Sequence, residues 1–179
     1  VDTPGTRAGF SKYLAEITYF DGQVGRIVGK LDRAGLRQST LVIVLSEQGN
    51  SYPFAKWTCY DAGLRSALIA RWPGVIPPSS KTDAMVEYVD LAPTFLEAAG
   101  LPPGDVLDGR SFLPVLQGRT DRHKDHVYGI HTTRGINNGS DYYGIRSVRS
   151  GKYLYIRNLT PEAVFRNAAI KSRAFQEWR

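Results

Sequence analysis

Three side chains that suit cation and anion chemistry follow an apolar run in the first third of the sequence. Glu47 and Gln48 offer a carboxylate and an amide oxygen, and Lys56 returns a positive charge nine residues after Glu47. Such oxygens are ligands of hard cations, and a lysine can neutralise an anionic substrate. The spacing predicts a divalent cation beside an anion. A solvated turn is the alternative, because two adjacent ligands cannot supply the roughly six oxygens that such a cation takes.

The apolar run itself predicts the element that positions these residues. Residues 41–45 are all apolar and include two Val and one Ile, which is typical of a parallel strand buried on both faces. In open α/β sheets, ligands collect just outside the carboxyl ends of such strands. Gly49 then allows the backbone to turn sharply. The sequence therefore places the three candidate residues at a strand end.

A long amphipathic helix is predicted before this strand. Apolar residues recur at steps of three and four over residues 14–31, and Gly35 is placed to end the helix. Gly22, Gly25 and Gly29 follow the same spacing. Since each costs about 1 kcal/mol against Ala in a helix interior, we expect another element to approach them closely. A helix that leads into a strand is typical of a doubly wound α/β sheet.

Shorter elements are predicted further along the chain. Residues 67–70 form a second apolar run that can lie beside the first, and Asp90 can cap a helix that ends at Gly100. Later come three strand-like segments, a hairpin signal at residues 150–151, and a final helix beginning at Thr160. The three segments cover residues 127–130, 142–148 and 153–156. We predict an α/β core over residues 1–119 and a small antiparallel α+β subdomain over residues 120–179.

The remaining candidates are three histidines and the single cysteine. His131 follows a predicted strand and, with Arg134, opens a cluster of donors suited to oxyanions or sugar hydroxyls; a hydrogen-bonded loop is the alternative. His123 and His126 lie in a charged segment and are expected to be solvated. Cys59 lacks the flanking signature of a nucleophile and is expected to be a small buried thiol.

Composition limits the class of protein and its partners. The 179 residues are 42% hydrophobic and 22% charged, which is ordinary for a globular chain. The net charge of +6 favours anionic partners such as sulfated sugars, phosphates or nucleic acid. No stretch reaches the ~18 apolar residues of a membrane span, and the sequence contains no P-loop, nucleophile elbow or dinucleotide fingerprint.

Several of these motifs, in order, resemble the type I sulfatases of the alkaline-phosphatase-like superfamily. Residues 13–25 are similar to the family's helix before the metal strand, and residues 41–49 to that strand with its Ser-Asp-(Asn or His)-Gly motif. Lys56 falls where a sulfatase lysine or arginine holds the sulfate. Further family signatures are matched at residues 71–74, 89–94 and 108–114.

The subgroup that the sequence resembles most is the heparan N-sulfatase, or sulfamidase, type. The resemblance implies the C-terminal part of a doubly wound alkaline-phosphatase-like sheet and hydrolysis of a sulfate ester or sulfamate on a heparan-type glycan. It implies Ca²⁺, with Mg²⁺ possible, bound by Glu47 and Gln48, and a sulfate contact from Lys56. It also makes His131 and Arg134 candidates for sugar recognition.

Two departures from the family pattern bear on this interpretation. Glu47 and Gln48 each carry one methylene more than the commoner Asp-Asn pair. No Cys/Ser-x-Pro-x-Arg motif occurs, so the formylglycine nucleophile made from it is expected outside this sequence, as is the family's N-terminal Asp-Asp metal pair. We therefore expect the C-terminal portion of a sulfatase that is inactive alone.

The expected partners are a sulfated carbohydrate and the remainder of the sulfatase chain, without nucleic acid. Two alternatives are a phosphodiesterase or phosphonate hydrolase of the same superfamily, and a module that binds anions or glycans without catalysis. Family resemblance implies a periplasmic, extracellular or lysosomal protein. The sequence itself lacks an initiating Met, which we expect of a fragment or processed product, and gives no localisation.

Overall fold

The computed structural model describes residues 2–102, 104, 106–133, 136, 139 and 142–178. A long helix leads into a two-stranded sheet, and short helices then lead into a three-stranded sheet. The helices are α1 (Pro4–Arg33), α2 (Asp61–Leu64), α3 (Leu91–Ala98), α4 (Leu113–Leu116) and α5 (Arg173–Trp178). The strands are β1 (Val42–Leu45), β2 (Leu68–Arg71), β3 (Val127–His131), β4 (Ile145–Arg149) and β5 (Leu154–Asn158).

Helix α1 confirms the predicted amphipathic helix and begins earlier than its apolar pattern. The Thr3 hydroxyl accepts the Thr6 N–H at 3.1 Å, and a proline occupies the first turn. Gly35 follows the helix with φ +73°, a conformation that a residue with a Cβ rarely adopts. No helix in the described ranges has the length and apolarity that crossing a bilayer would need.

The expected close approach to the glycines of α1 is wrong for the described part of the chain. A Cβ at Gly22 or Gly25 would meet no atom within 4 Å, and one at Gly29 would meet only the Arg33 side chain. The neighbouring apolar side chains are also open to solvent, and Ile17 and Phe20 are about half exposed. The three glycines do follow one face of α1, but spacing cannot show whether a partner covers that face.

Strands β1 and β2 lie side by side, as predicted, but run antiparallel. Val42 pairs with Arg71 and Leu45 with Leu68, and every residue of β1 is half-buried. The expectation of a parallel strand buried on both faces is therefore not met among the described residues. An apolar run does not encode strand direction, which is set here by the loop and α2 that return the chain alongside β1.

The second sheet has the order β3-β4-β5 with antiparallel pairing throughout. Its strands confirm the three predicted segments to within a few residues. The Ser150 N–H donates to the Tyr153 carbonyl at 2.8 Å, which closes the predicted hairpin. Tyr143 and Ile145 pack with Cys59, whose thiol is buried as expected, and burial raises its pKa. The division of the chain at residue 119 stays a prediction.

The final helix does not begin at Thr160, and this prediction is wrong. A capping threonine accepts a hydrogen bond from the first turn of its helix, but the Thr160 hydroxyl donates to the Tyr142 carbonyl at 3.2 Å. The Ala163 N–H returns to the Thr160 carbonyl and closes a turn instead. Helix α5 starts only at Arg173, where Ser172 precedes it.

A fully buried carboxylate joins three separate segments. Asp90 accepts the backbone N–H of Glu87 at 2.9 Å and of Arg110 at 3.0 Å, and pairs with the Lys124 ammonium at 2.9 Å. The His123 Nε2 lies 3.2 Å from Asp90 Oδ2, the oxygen that also accepts the Glu87 N–H. The His123 side chain is only 5% exposed. The expectation of a solvated His123 is therefore wrong. We call these five residues the Asp90 clasp.

The clasp has a defined charge state. Burial alone raises the pKa of Asp90, but the Lys124 ammonium and the two backbone N–H groups outweigh it and hold that pKa below its usual value. Burial lowers the pKa of His123 despite the nearby carboxylate. The buried charges are thus the Asp90 carboxylate and the Lys124 ammonium, which the Glu87 carboxylate also binds at 2.6 Å, with a neutral imidazole beside them. Such a pair is stable only while both partners remain.

Replacing Asp90 by Ala is expected to lower the free energy of unfolding by about 3–5 kcal/mol, because it leaves the backbone N–H groups of Glu87 and Arg110 buried without their acceptor and leaves Lys124 with Glu87 as its remaining carboxylate. Urea unfolding measures this. The matched control is Asp83→Ala, an exposed aspartate for which we expect a change within about 0.5 kcal/mol. Equal losses from both variants would contradict a stabilising role of the clasp.

Candidate functional site

Ser46 fixes the direction of the chain where β1 ends. Its N–H donates to the Ala67 carbonyl at 3.1 Å, and its hydroxyl oxygen accepts the Ala67 N–H at 2.8 Å. The Ser46 carbonyl also accepts the Tyr88 hydroxyl. These contacts extend the β1–β2 pairing by one residue and set where Glu47 emerges. Sequence reasoning missed Ser46; the available signal was its position between a strand and an acidic residue.

Residues 49–63, which we call the lysine loop, fold tightly onto their own end. The Gly49 N–H donates to the Gly63 carbonyl at 3.2 Å. A Cβ on Gly49 would overlap the Ala62 carbonyl, and one on buried Gly63 would overlap the Ala55 carbonyl. Both positions therefore require glycine because backbone approaches backbone there.

The lysine loop brings Lys56 back to the strand end. The Lys56 N–H donates to the Asn50 carbonyl at 2.8 Å, and its Nζ lies 3.1 Å from Glu47 Oε2. The same ammonium lies 5.5 Å from the centre of the Trp57 ring, within cation–π range. The Lys56 side chain is 23% exposed and that of Glu47 70% exposed. A largely covered cation thus faces a solvated carboxylate.

The sequence-predicted site residues do not all meet. Glu47 and Lys56 form an ion pair, and Gln48 is exposed on the same turn. His131 instead packs edge-on against Phe165, with ring centres 6.3 Å apart, and burial lowers its pKa. Its Nε2 is buried without a hydrogen-bond partner in the described part of the chain.

Among the described residues, no hydrogen bond, ion pair or ring contact joins His131 to the Glu47–Lys56 pair. Arg134 lies outside the described residues. Spacing in the sequence therefore identified Glu47 and Lys56 as neighbours at the strand end, whereas it did not place the His131 segment. The roles assigned to all of these residues stay predictions.

The donor set at the strand end fits a hard cation only in part. Glu47 and Gln48 supply carboxylate and amide oxygens of the required kind and are open to solvent. Among the residues described, no group of three or more His, Cys, Asp or Glu is arranged to hold a metal. One Glu47 oxygen is also held by Lys56. These residues can supply part of a coordination shell and need further ligands to complete it.

The fold and the family match define a class: the C-terminal portion of a sulfatase with the alkaline-phosphatase-like fold. Residues 49–164 match the family model described as N-sulphoglucosamine sulphohydrolase, C-terminal. The matched range contains the lysine loop, the Asp90 clasp and the three-stranded sheet. The chain therefore belongs to this family, and the family expected from the sequence motifs is confirmed.

One curated relative is an ulvan-active sulfatase of Formosa agariphila. It is 38% identical over 153 residues, which cover 86% of this chain and 29% of the relative. The chain thus spans less than a third of the length of that relative.

Solved structures agree on the fold. One, in complex with its substrate D-glucosamine-2-N,6-O-disulfate, gives a TM-score of 0.67 at 24% identity, covering 80% of this chain and 30% of the other. A phosphonate monoester hydrolase from Silicibacter pomeroyi gives a TM-score of 0.56 at 23% identity, covering 88% and 36%. At these identities the likeness shows the fold alone.

Replacing Gly63 by Ala is expected to lower the free energy of unfolding by about 1–3 kcal/mol, since the added Cβ must displace the backbone of the lysine loop. Gly25→Ala is the matched control. Its Cβ enters open space on α1, so we expect no loss and a gain of up to about 1 kcal/mol. Urea unfolding compares the two, and an unchanged midpoint for Gly63→Ala would contradict the tight packing.

Proposed function

We propose that the protein carrying this chain is a sulfatase that hydrolyses sulfate ester or sulfamate groups on a sugar, with Lys56 as a sulfate contact. The observation that carries the proposal is the position of the Lys56 ammonium, 3.1 Å from Glu47 at the end of β1. Membership of the sulfohydrolase family and likeness to an ulvan-active sulfatase support it. A heparan-type glycan as the substrate is the finer part of the proposal.

The lysine loop suits Lys56 to this role. The Lys56 backbone N–H is bound to the Asn50 carbonyl. The Lys56 ammonium contacts the Glu47 carboxylate and the face of the Trp57 ring. A charge fixed before the substrate arrives stabilises developing negative charge without a reorganisation cost. Because Glu47 is mostly solvated, a sulfate oxygen can approach the ammonium from the solvent side.

The proposal includes a Ca²⁺ site, with Mg²⁺ as the alternative, to which Glu47 and Gln48 contribute oxygens. A divalent cation bound there would polarise the sulfate oxygens. The remaining ligands and the formylglycine nucleophile would come from outside this chain. His131 and Arg134 are proposed to recognise the sugar. The buried His131 Nε2 is the polar atom that a ligand group could satisfy.

The main rival function is phosphonate or phosphate ester hydrolysis. A phosphonate monoester hydrolase shares the fold, and a lysine point charge does not distinguish one tetrahedral anion from another. A binding module without catalysis is the second rival. Turnover separates the three functions. A sulfatase releases sulfate, a phosphonate or phosphate ester hydrolase releases a phosphorus anion, and a binding module breaks no bond.

Lys56→Ala in the full-length protein is expected to lower kcat/KM for a sulfated sugar by about 10²-fold, the usual effect of losing one charge-stabilising group. Sulfate release measures this. Lys152→Ala is the matched control, since Lys152 also places its ammonium over an aromatic ring, 5.3 Å from its centre, but lies in the β4–β5 hairpin.

Equal activity of the Lys56→Ala variant and wild type would remove Lys56 from the site. Faster turnover of an aryl phosphonate than of any sulfate by the wild type would favour the rival enzyme. No turnover of either compound would favour the binding module.

A further inference from the structure

Two exposed aromatic rings lie on the lysine loop, on residues two before and four after Lys56 in the chain. The rings of Phe54 and Tyr60 pack edge to face, with centres 5.9 Å apart and planes at 80°. Phe54 is 64% exposed and Tyr60 48% exposed, although residues between them, such as Ala55 and Cys59, are almost fully buried. The loop therefore turns its smaller apolar side chains inward and two of its largest outward, against the ordinary preference for burying aromatic area.

The backbone on both sides of Lys56 is strained. Phe54 has φ +62° and Trp57 has φ +66°, in the left-handed region that bulky side chains rarely adopt. The Thr58 hydroxyl, hydrogen-bonded to the Ala55 carbonyl at 2.7 Å, helps to hold this conformation. Phe54 and Trp57 thus take unfavourable backbone angles on either side of Lys56, the residue that carries the cation. Strain of this kind persists where the surrounding structure enforces it, and it collects at ligand sites.

The aromatic pair borders a cavity of about 460 Å³ between the lysine loop and the inner face of β4 and β5. Phe54 and Tyr60 contribute to its wall, as do Tyr143 and Phe165, while Asn158 supplies an exposed amide at the end of β5. The volume lies in the range of small-molecule sites, and the lining combines apolar faces with few polar groups. A sugar ring has the matching surface, since its C–H faces are apolar and its edge carries hydroxyls.

We propose that Phe54 and Tyr60 form a stacking platform for a sugar ring of the substrate whose sulfate Lys56 binds. The inference rests on the proposed function. The aromatic faces bury the apolar face of the ring, while Lys56, two residues after Phe54 in the chain, receives the anionic group. The platform positions the substrate and takes no part in bond breaking. A small anion that lacks a ring gains nothing from it.

The test measures sugar and anion binding separately in the full-length protein. The variants are Phe54→Ala, Tyr60→Ala and Phe54→Asn, the last because Asn adopts positive φ more readily and so keeps the loop conformation. Tyr155→Ala is the control, an equally exposed aromatic residue on β5. The probes are a sulfated glucosamine, a sulfated ulvan disaccharide, their unsulfated counterparts and inorganic sulfate.

We expect each platform variant to raise KM for at least one sulfated sugar by about 3- to 10-fold, the range for a lost aromatic contact, with kcat little changed. Affinity for the matching unsulfated sugar should fall by the same factor. Inhibition by inorganic sulfate, and all constants of Tyr155→Ala, should stay as in wild type.

Unchanged KM and sugar affinity in the platform variants would overturn the platform, and so would absence of sugar binding by the wild type. An equal loss of sugar and inorganic sulfate binding would also overturn it, by showing that the rings only support Lys56. If the wild type binds the unsulfated sugar through these rings but releases no sulfate from the sulfated sugars, the platform stands and the proposed sulfatase activity fails.

Discussion

The close approach of two backbone segments, at Gly49 and Gly63, determines where the charged groups of this chain lie. Because neither residue carries a Cβ, Gly49 packs directly against the backbone at the other end of the lysine loop, and the closed loop returns Lys56 to the strand end that presents Glu47. An ion pair with a carboxylate as exposed as Glu47 adds little stability by itself. Its value is geometric, since the loop holds the cation in place before any ligand arrives.

The Asp90 clasp holds distant segments of the chain together, as Gly49 and Gly63 hold the two ends of the lysine loop together. It joins the start of α3, the segment before α4 and the approach to β3 through one buried carboxylate. Glu87 in turn accepts the Tyr128 N–H at 3.1 Å, which ties the clasp to the three-stranded sheet. Two sequence signatures that resemble sulfatases, residues 89–94 and 108–114, therefore have a structural explanation in this chain.

Local patterns in the sequence predicted the local structure well. The amphipathic spacing gave α1, the apolar runs gave β1 and β2, and the nine-residue spacing placed Glu47 beside Lys56. Long-range packing was not predictable in the same way. Nothing near His123 in the sequence reveals a buried carboxylate 33 residues away, and a capping motif at Thr160 cannot show that its hydroxyl is taken by a strand.

The most direct test of the strand-end site is a crystal structure of the full-length protein with calcium and a sulfated sugar. The account predicts a sulfate oxygen within about 3 Å of the Lys56 Nζ, with Glu47 and Gln48 oxygens on the cation. A sulfate bound elsewhere, with Lys56 still paired only to Glu47, would contradict it.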